Sequence, residues 1–160
     1  MSEPADRANL ALNISNFFAL YWNELEREQG KNMAEFLSED SVYQIPGARL
    51  EGRDKICAVS AQRAAAVATV GRHLLSNERF DFSRLESDQE VTVYGVMTFF
   101  GGLGTGMLPM QLPMALYDFE FGVRRGGKHG WLMTKTLYDT IFMRQDEEMK
   151  AYAGNHIKQS

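Results

Sequence analysis

The second half of the chain alternates apolar and polar residues through RHLLSNERFDF (72–82), EVTVYGVMTFF (90–100), MALYDFEFGVRR (114–125) and WLMTKTLYDTIFM (131–143). Successive side chains of a strand point to opposite faces of its sheet, so this period of two predicts four long strands, each half-buried. The polar links SRLESDQ (83–89) and RGGKHG (125–130) are typical of hairpin turns, which make the strands that they join antiparallel.

Helical spacing dominates the residues before these strands. Residues 8–28 predict a helix that Gly30 ends, because apolar side chains recur at intervals of three and four. That apolar stripe consists of Leu10, Ile14, Phe17, Phe18, Tyr21, Trp22 and Leu25. A short helix over residues 33–38, a strand over residues 41–47 and an alanine-rich helix over residues 54–68 follow.

This order of elements predicts an α+β fold, in which N-terminal helices close one face of a curved antiparallel sheet. We expect an apolar space at the open end of the sheet. The connector GGLGTGMLPMQLP (101–113) is apolar and irregular, so we expect it to be covered or to cover something. Residues 1–160 fit a single domain, with a core at 8–143 and a polar tail at 144–160.

Composition narrows the possible partners and the compartment. The net charge of −4 comes from mixed charges without a basic stripe, which argues against nucleic-acid and anionic-membrane partners. Cys57 is the single cysteine, and the N-terminus has no signal-peptide pattern. We therefore expect a soluble, cytoplasmic protein. His129 lies in a predicted turn and His156 in the tail, so we expect no metal site with His73.

His73 is the only histidine inside a predicted core strand, and a histidine can move a proton near neutral pH. The alternative is a core histidine that simply bonds to a backbone carbonyl. Glu26 lies on or beside the apolar stripe, where a carboxylate needs a partner. Its alternative is a solvated carboxylate at a fraying helix end. Arg72 should point away from His73, to a subunit contact.

Four strings of residues resemble one known group of proteins. They are AEFLSEDSVYQIPG (34–47), LEGRDKI (50–56), GRHLLSN (71–77) and the tryptophan Trp131 that opens the last strand. Together with the order of elements, they resemble the nuclear transport factor 2-like superfamily over residues 8–143. The SnoaL-like branch, which includes scytalone dehydratase and bile-acid dehydratase, is the closer likeness. The resemblance implies a cone-shaped, cystatin-like sheet.

The same resemblance implies roles for individual residues. It makes His73 a catalytic strand histidine and places Glu26 where those dehydratases carry an aspartate, which is one methylene shorter. It makes Tyr43 the tyrosine that polarises the substrate, although a core aromatic is the alternative for this residue. Cationic residues at the place of Lys135 contact substrate in some relatives, and the alternative for Lys135 is a side chain that reaches solvent or an interface.

Alternation adds further candidate substrate contacts. Tyr117 shares the inward face of its strand with Phe119, and Asn77 lies four residues after His73 on the same face. Lys135 should share a face with Trp131 and Met133. We expect Trp22 and Phe119 to supply an apolar wall, with Phe18 and Phe99 beside them.

The sequence contains no recognisable metal, flavin or nicotinamide motif, so we expect no cofactor and chemistry by proton transfer. These features favour a lyase, either a dehydratase or a retro-aldol-type enzyme, acting on a small hydroxylated aromatic or polyketide-like substrate. An isomerase or polyketide cyclase could use the same pocket. The string Arg-His-x-x-Ser-Asn is also similar to the non-catalytic small subunit of ring-hydroxylating dioxygenases. The resemblance implies a homo-oligomer, with a trimer favoured over a dimer.

Overall fold

Six strands form one sheet in the computed structural model, which describes residues 4–66, 69–110 and 112–147. The elements are α1 (Pro4–Arg27), β1 (Leu37–Ile45), β2 (Ala48–Glu51), α2 (Arg53–Ala66), β3 (Thr69–Asp81), α3 (Leu85–Asp88), β4 (Glu90–Leu103), β5 (Ala115–Arg125) and β6 (Trp131–Met143). One turn of 3-10 helix, Met33–Glu35, lies between α1 and β1. The helix predicted to end at Ala68 and the tail beyond residue 147 lie partly outside the described residues.

The strand order is β2-β1-β6-β5-β4-β3, so β2 and β3 form the two edges. Strands β3 to β6 make the predicted antiparallel meander. The expectation of an entirely antiparallel sheet is wrong, because β1 pairs with β6 in parallel. A tight turn at Pro46 and Gly47, with φ of +84° at Gly47, adds the unpredicted strand β2. The α+β class is confirmed, and the sheet is mixed.

Helix α1 buries its predicted apolar stripe against this sheet. Ile14, Phe17 and Phe18 are no more than 2% exposed. Phe18 meets Phe121 of β5 edge-on, with ring centroids 5.5 Å apart. The helix ends where the backbone turns left-handed at Gln29 and Gly30. No helix in the described part of the chain is long and apolar enough to cross a membrane.

The connector between β4 and β5 differs from its prediction. Strand β4 runs on to Leu103, so the irregular segment is shorter than 101–113. Met107 and Met110 are 99% and 96% exposed, so this segment is not covered within the part of the chain that the structure describes, and the alternative that it covers something stays a prediction. The link 83–89 also differs, because it contains the short helix α3.

Candidate active site

Glu26 and His73 meet where the end of α1 lies against the edge strand β3. The backbone N–H of His73 donates a hydrogen bond to Glu26 Oε1, and the ring Nδ1 lies 2.9 Å from the same oxygen. Because β3 pairs only with β4, one side of its backbone has no strand partner, and Glu26 satisfies an N–H on that open side. The carboxylate therefore both anchors the helix to the sheet and orients the imidazole.

The contact with Glu26 determines how the His73 ring can act. A carboxylate only accepts hydrogen bonds, so Nδ1 carries the proton and the neutral ring keeps Nε2 as an acceptor. Among the described residues, Nε2 has no hydrogen-bond partner. The Glu26 side chain is 8% exposed and the His73 side chain 17%. The geometry is that of a base with an orienting carboxylate behind it.

Two aromatic rings cover the faces of this imidazole. Trp22 stacks on one face with centroids 4.3 Å apart, and Phe99 stacks on the other at 4.6 Å. Room for Phe99 comes from Gly101, where a Cβ atom would lie 2.7 Å from the Phe99 ring. With both faces and the Nδ1 edge occupied, the Nε2 edge is the part of the ring that remains for a ligand.

Arg72 does not point away from the Glu26–His73 pair as the alternation of its strand predicted, and its role as a subunit contact stays a prediction. Its Nη1 lies 3.7 Å from Glu26 Oε2 and donates to the carbonyl of Gly71. The long side chain bends around the edge strand β3, which has no neighbour there to block it. Arg72 is about half exposed, so its attraction for Glu26 is screened by solvent.

Four tyrosines form a second polar group inside the same core. Tyr138 lies 5.9 Å from Tyr43 and 5.6 Å from Tyr117, measured between ring centroids. Tyr21 belongs to the group because it lies close enough to Tyr138 to contribute to the raised pKa of that tyrosine. Tyr117 also packs against Phe99, which stacks on His73. The tyrosine group therefore lies next to the Glu26–His73 pair, with Phe99 in contact with both.

Burial keeps these hydroxyls protonated. It raises the pKa of Tyr117 to about 12, with a smaller contribution from Tyr43. Burial also raises the pKa of Tyr138 well above its usual value. The pKa of Tyr43 is raised by burial, and the Arg63 guanidinium opposes this effect. Each hydroxyl can therefore donate a hydrogen bond at neutral pH.

The predicted site residues do not all converge. Tyr43 lies in the tyrosine group near Arg63, and no hydrogen bond joins it to Glu26 or His73. Phe119 is 3% exposed and stacks on Phe121 at 4.2 Å, so it belongs to the packed core. Tyr117 faces inward as predicted from the alternation of β5.

Asn77 and Lys135 lie elsewhere because β-bulges reverse the alternation of their strands. The β3–β4 register shifts between Ser76 and Arg79, and Asn77 is exposed there with a left-handed φ of 54°. A second shift, opposite Gly122, turns Lys135 away from the face of Met133 and into an ion pair with Glu120. The placement of both residues at the His73 site is therefore wrong.

Two further residues of the site, Tyr138 and Arg63, did not emerge from the sequence pattern. Tyr138 becomes buried because it lies beyond the shift in β6, and strict alternation from Trp131 would have put it on the other face. Arg63 lies in the alanine-rich helix α2, where no sequence signal indicated that its side chain would interact with another residue of the site. A change of phase in the apolar pattern after Met133 was the one available sign of Tyr138.

His73 does not line either of two surface depressions of the protein. One depression is lined by residues that include Asn23, Glu35 and His129, and another by residues that include Asp40 and Lys135. His73 lines neither, because Trp22 and Phe99 fill the space beside it. Within the described ranges, no three His, Cys, Asp or Glu side chains are grouped to hold a metal ion.

Solved structures with the same fold come from several bacteria. A variant of Rv3472 from Mycobacterium tuberculosis, a protein of unknown function, has a TM-score of 0.73 at 16% identity, covering 98% of this chain and 92% of that chain. A candidate scytalone dehydratase from Novosphingobium aromaticivorans has a TM-score of 0.70 at 15% identity, covering 91% of this chain and 93% of that chain. ActVI-ORFA from Streptomyces coelicolor has a TM-score of 0.67 at 15% identity, covering 82% of this chain and 98% of that chain. At these identities the likeness shows the fold alone.

Sequence comparison with known families gives a broader match. A search of curated proteins finds no significant match. The family model described as the SnoaL-like domain, by contrast, matches residues 6–136, which include the end of α1, all of β3 and three of the four core tyrosines, Tyr138 lying just beyond the match. The chain therefore belongs to the SnoaL-like domain family, within the nuclear transport factor 2-like superfamily.

Proposed function

We propose that this protein is a lyase that eliminates water from a small β-hydroxy ketone of an aromatic or polyketide-like compound. The observation that carries the proposal is the Glu26–His73 pair, joined at 2.9 Å and enclosed between Trp22 and Phe99. The pair supplies an oriented base, and its aromatic surroundings suit a flat substrate. The candidate scytalone dehydratase among the structural neighbours supports the same reaction class.

The proposed reaction uses His73 for proton transfer and the tyrosines as hydrogen-bond donors. His73 Nε2 takes a proton from the carbon beside the ketone, and that C–H electron pair moves to form an enolate. Tyr43 and Tyr117 donate hydrogen bonds to the enolate oxygen, on which negative charge develops. The enolate electrons then expel the β-hydroxyl group, which leaves as water with the proton returned by the His73 imidazolium. Glu26 stabilises this imidazolium between the two proton transfers.

The experiment uses 3-hydroxy-1-tetralone, which yields 1-naphthol on loss of water and can be followed by absorbance. We expect turnover by the wild-type protein and a loss of about 10²- to 10⁴-fold in His73→Ala. The matched control is His129→Ala, because His129 also stacks on an aromatic ring, that of Phe36 at 4.3 Å, away from Glu26. Equal activity of His73→Ala and wild type would contradict the proposal.

Product identification separates the lyase from the alternatives that use the same residues. An isomerase or cyclase would convert related ketones without release of water. A non-catalytic subunit would instead show no turnover, and His73→Ala would disturb assembly with an iron-bearing partner. Retro-aldol cleavage of 3-hydroxy-1-tetralone would open the ring to 2-acetylphenylacetaldehyde, which has the same mass as the substrate. The elimination product is lighter by one water, so mass spectrometry distinguishes the two reactions.

A further inference from the structure

The indole N–H of Trp22 is a buried hydrogen-bond donor with no use in the packing. Trp22 is 7% exposed, and its Nε1 has no hydrogen-bond acceptor among the described residues. Buried donors without acceptors are rare in folded proteins, and each one needs an explanation. The rest of the indole is well packed, with Tyr21 edge-on at 5.0 Å and Phe121 at 6.2 Å. The packing therefore holds the ring in place while its polar atom stays unused.

The indole that carries this N–H stacks on the His73 ring. The indole and imidazole planes are within 26° of parallel, at a centroid distance of 4.3 Å. In such a stack the N–H lies in the plane of the indole, so its acceptor must lie at the edge of the stack. The Nδ1 edge of His73 is already occupied by Glu26, whereas its Nε2 edge has no partner in the described structure.

We propose that the Trp22 indole N–H binds the hydroxyl oxygen that leaves the substrate. This rests on the proposed function, in which the same oxygen receives the proton from His73. Indole is only a donor, so its partner must be an acceptor such as an alcohol, ether or carbonyl oxygen. The tyrosine group supplies donors for the ketone oxygen, which assigns the second oxygen of a β-hydroxy ketone to Trp22. The tyrosine hydroxyls and the Trp22 N–H thus together select substrates whose two oxygens are separated by three carbons.

The first test is the ¹H–¹⁵N spectrum of the indole groups. The chain has two tryptophans, and Trp131, which lies under the Arg125 guanidinium at 5.3 Å, serves as the internal control. The probes are 2-tetralol with a hydroxyl group, 1-tetralone with a carbonyl group, and tetralin with neither. We expect 2-tetralol to shift the Trp22 N–H signal downfield and tetralin to leave it near its unbound position. A signal that responds to 1-tetralone instead of 2-tetralol overturns the assignment, as does the absence of any 2-tetralol binding.

The second test compares affinities in Trp22→Phe, which keeps a ring against His73 and removes the N–H. We expect the preference for 2-tetralol over tetralin to fall about tenfold, the usual size of one neutral hydrogen bond. An unchanged preference overturns the inference. These binding tests need no turnover, so they are independent of the tetralone assay. Wild-type turnover without a Trp22 shift refutes only this inference, whereas a Trp22 shift without turnover refutes only the proposed reaction.

Discussion

Replacement of Glu26 by glutamine separates the structural from the chemical role of this carboxylate. Glu26 Oε1 accepts two hydrogen bonds from His73, one from the backbone N–H and one from Nδ1 at 2.9 Å. Glutamine retains an oxygen that can accept both bonds. It loses the negative charge that makes the bonds strong, and it cannot stabilise an imidazolium. The variant should therefore fold and still fail as a catalyst.

The expected loss of stability follows from these contacts. A hydrogen bond to a charged group contributes about 1.5–3 kcal/mol and a neutral one about 1 kcal/mol, so the two weakened bonds amount to about 2 kcal/mol. The ion pair of Glu26 with the half-exposed Arg72, at 3.7 Å, adds less than about 1 kcal/mol. Urea unfolding followed by tryptophan fluorescence measures this change. Turnover should fall by about 10²- to 10⁴-fold.

Glu24→Gln is the matched control on the same helix. Glu24 is as buried as Glu26, and its carboxylate accepts hydrogen bonds from the backbone N–H and the side chain of Asn32. This change should cost about 1–2 kcal/mol of stability and leave turnover within about twofold of wild type. If both variants lose turnover equally, or if Glu26→Gln keeps it, Glu26 does not support the chemistry of His73.

Three further predictions concern the core and the connector. Gly95→Ala should destabilise the protein by about 1–3 kcal/mol in urea unfolding, because the new Cβ would lie 2.6 Å from the Phe119 ring; a neutral effect would mean that this ring has room to move. Burial raises the pKa of Tyr117 to about 12, so the folded state holds its proton after the unfolded state releases it near pH 10. Stability should then fall by about 1.4 kcal/mol per pH unit for this tyrosine as the pH rises from 10 to 12, and Tyr117→Phe should fall less steeply. Replacement of Met107 and Met110 by serine should change the free energy of unfolding by less than about 0.5 kcal/mol, since both side chains are almost fully exposed. A larger loss of stability in thermal unfolding would show that these side chains are covered in solution.

Much of the candidate site could be predicted from local pattern. His73 and Glu26 stood out because each is a polar residue next to an apolar run, and the structure places them in contact. Tyr117 followed from simple alternation along β5, which continues without a change of face from Ala115 to Phe121. These predictions needed only the repeat of 2.0 residues in a strand and 3.6 in a helix, which the chain itself carries.

The remaining features depend on how distant segments pair. A single extra residue in a strand reverses every later side chain, which is why Asn77 and Lys135 left the site and Tyr138 entered it. Apart from the change of phase in the apolar pattern after Met133, no local pattern indicates such a bulge, because it arises from the fit between two strands. The parallel pairing of β1 with β6 joins segments about ninety residues apart, as between Tyr43 and Thr136.

Local periodicity thus specifies the long elements, the antiparallel meander and the faces of its undisturbed strands, since these depend on neighbours in the chain. Tertiary contacts specify the mixed sheet, the bend of Arg72 around the free edge of β3 and the enclosure of His73 between Trp22 and Phe99. They also leave the indole N–H of Trp22 without an acceptor. Whether a buried donor finds an acceptor depends on atoms that only packing brings together. The sequence alone therefore predicted only that Trp22 is part of an apolar wall.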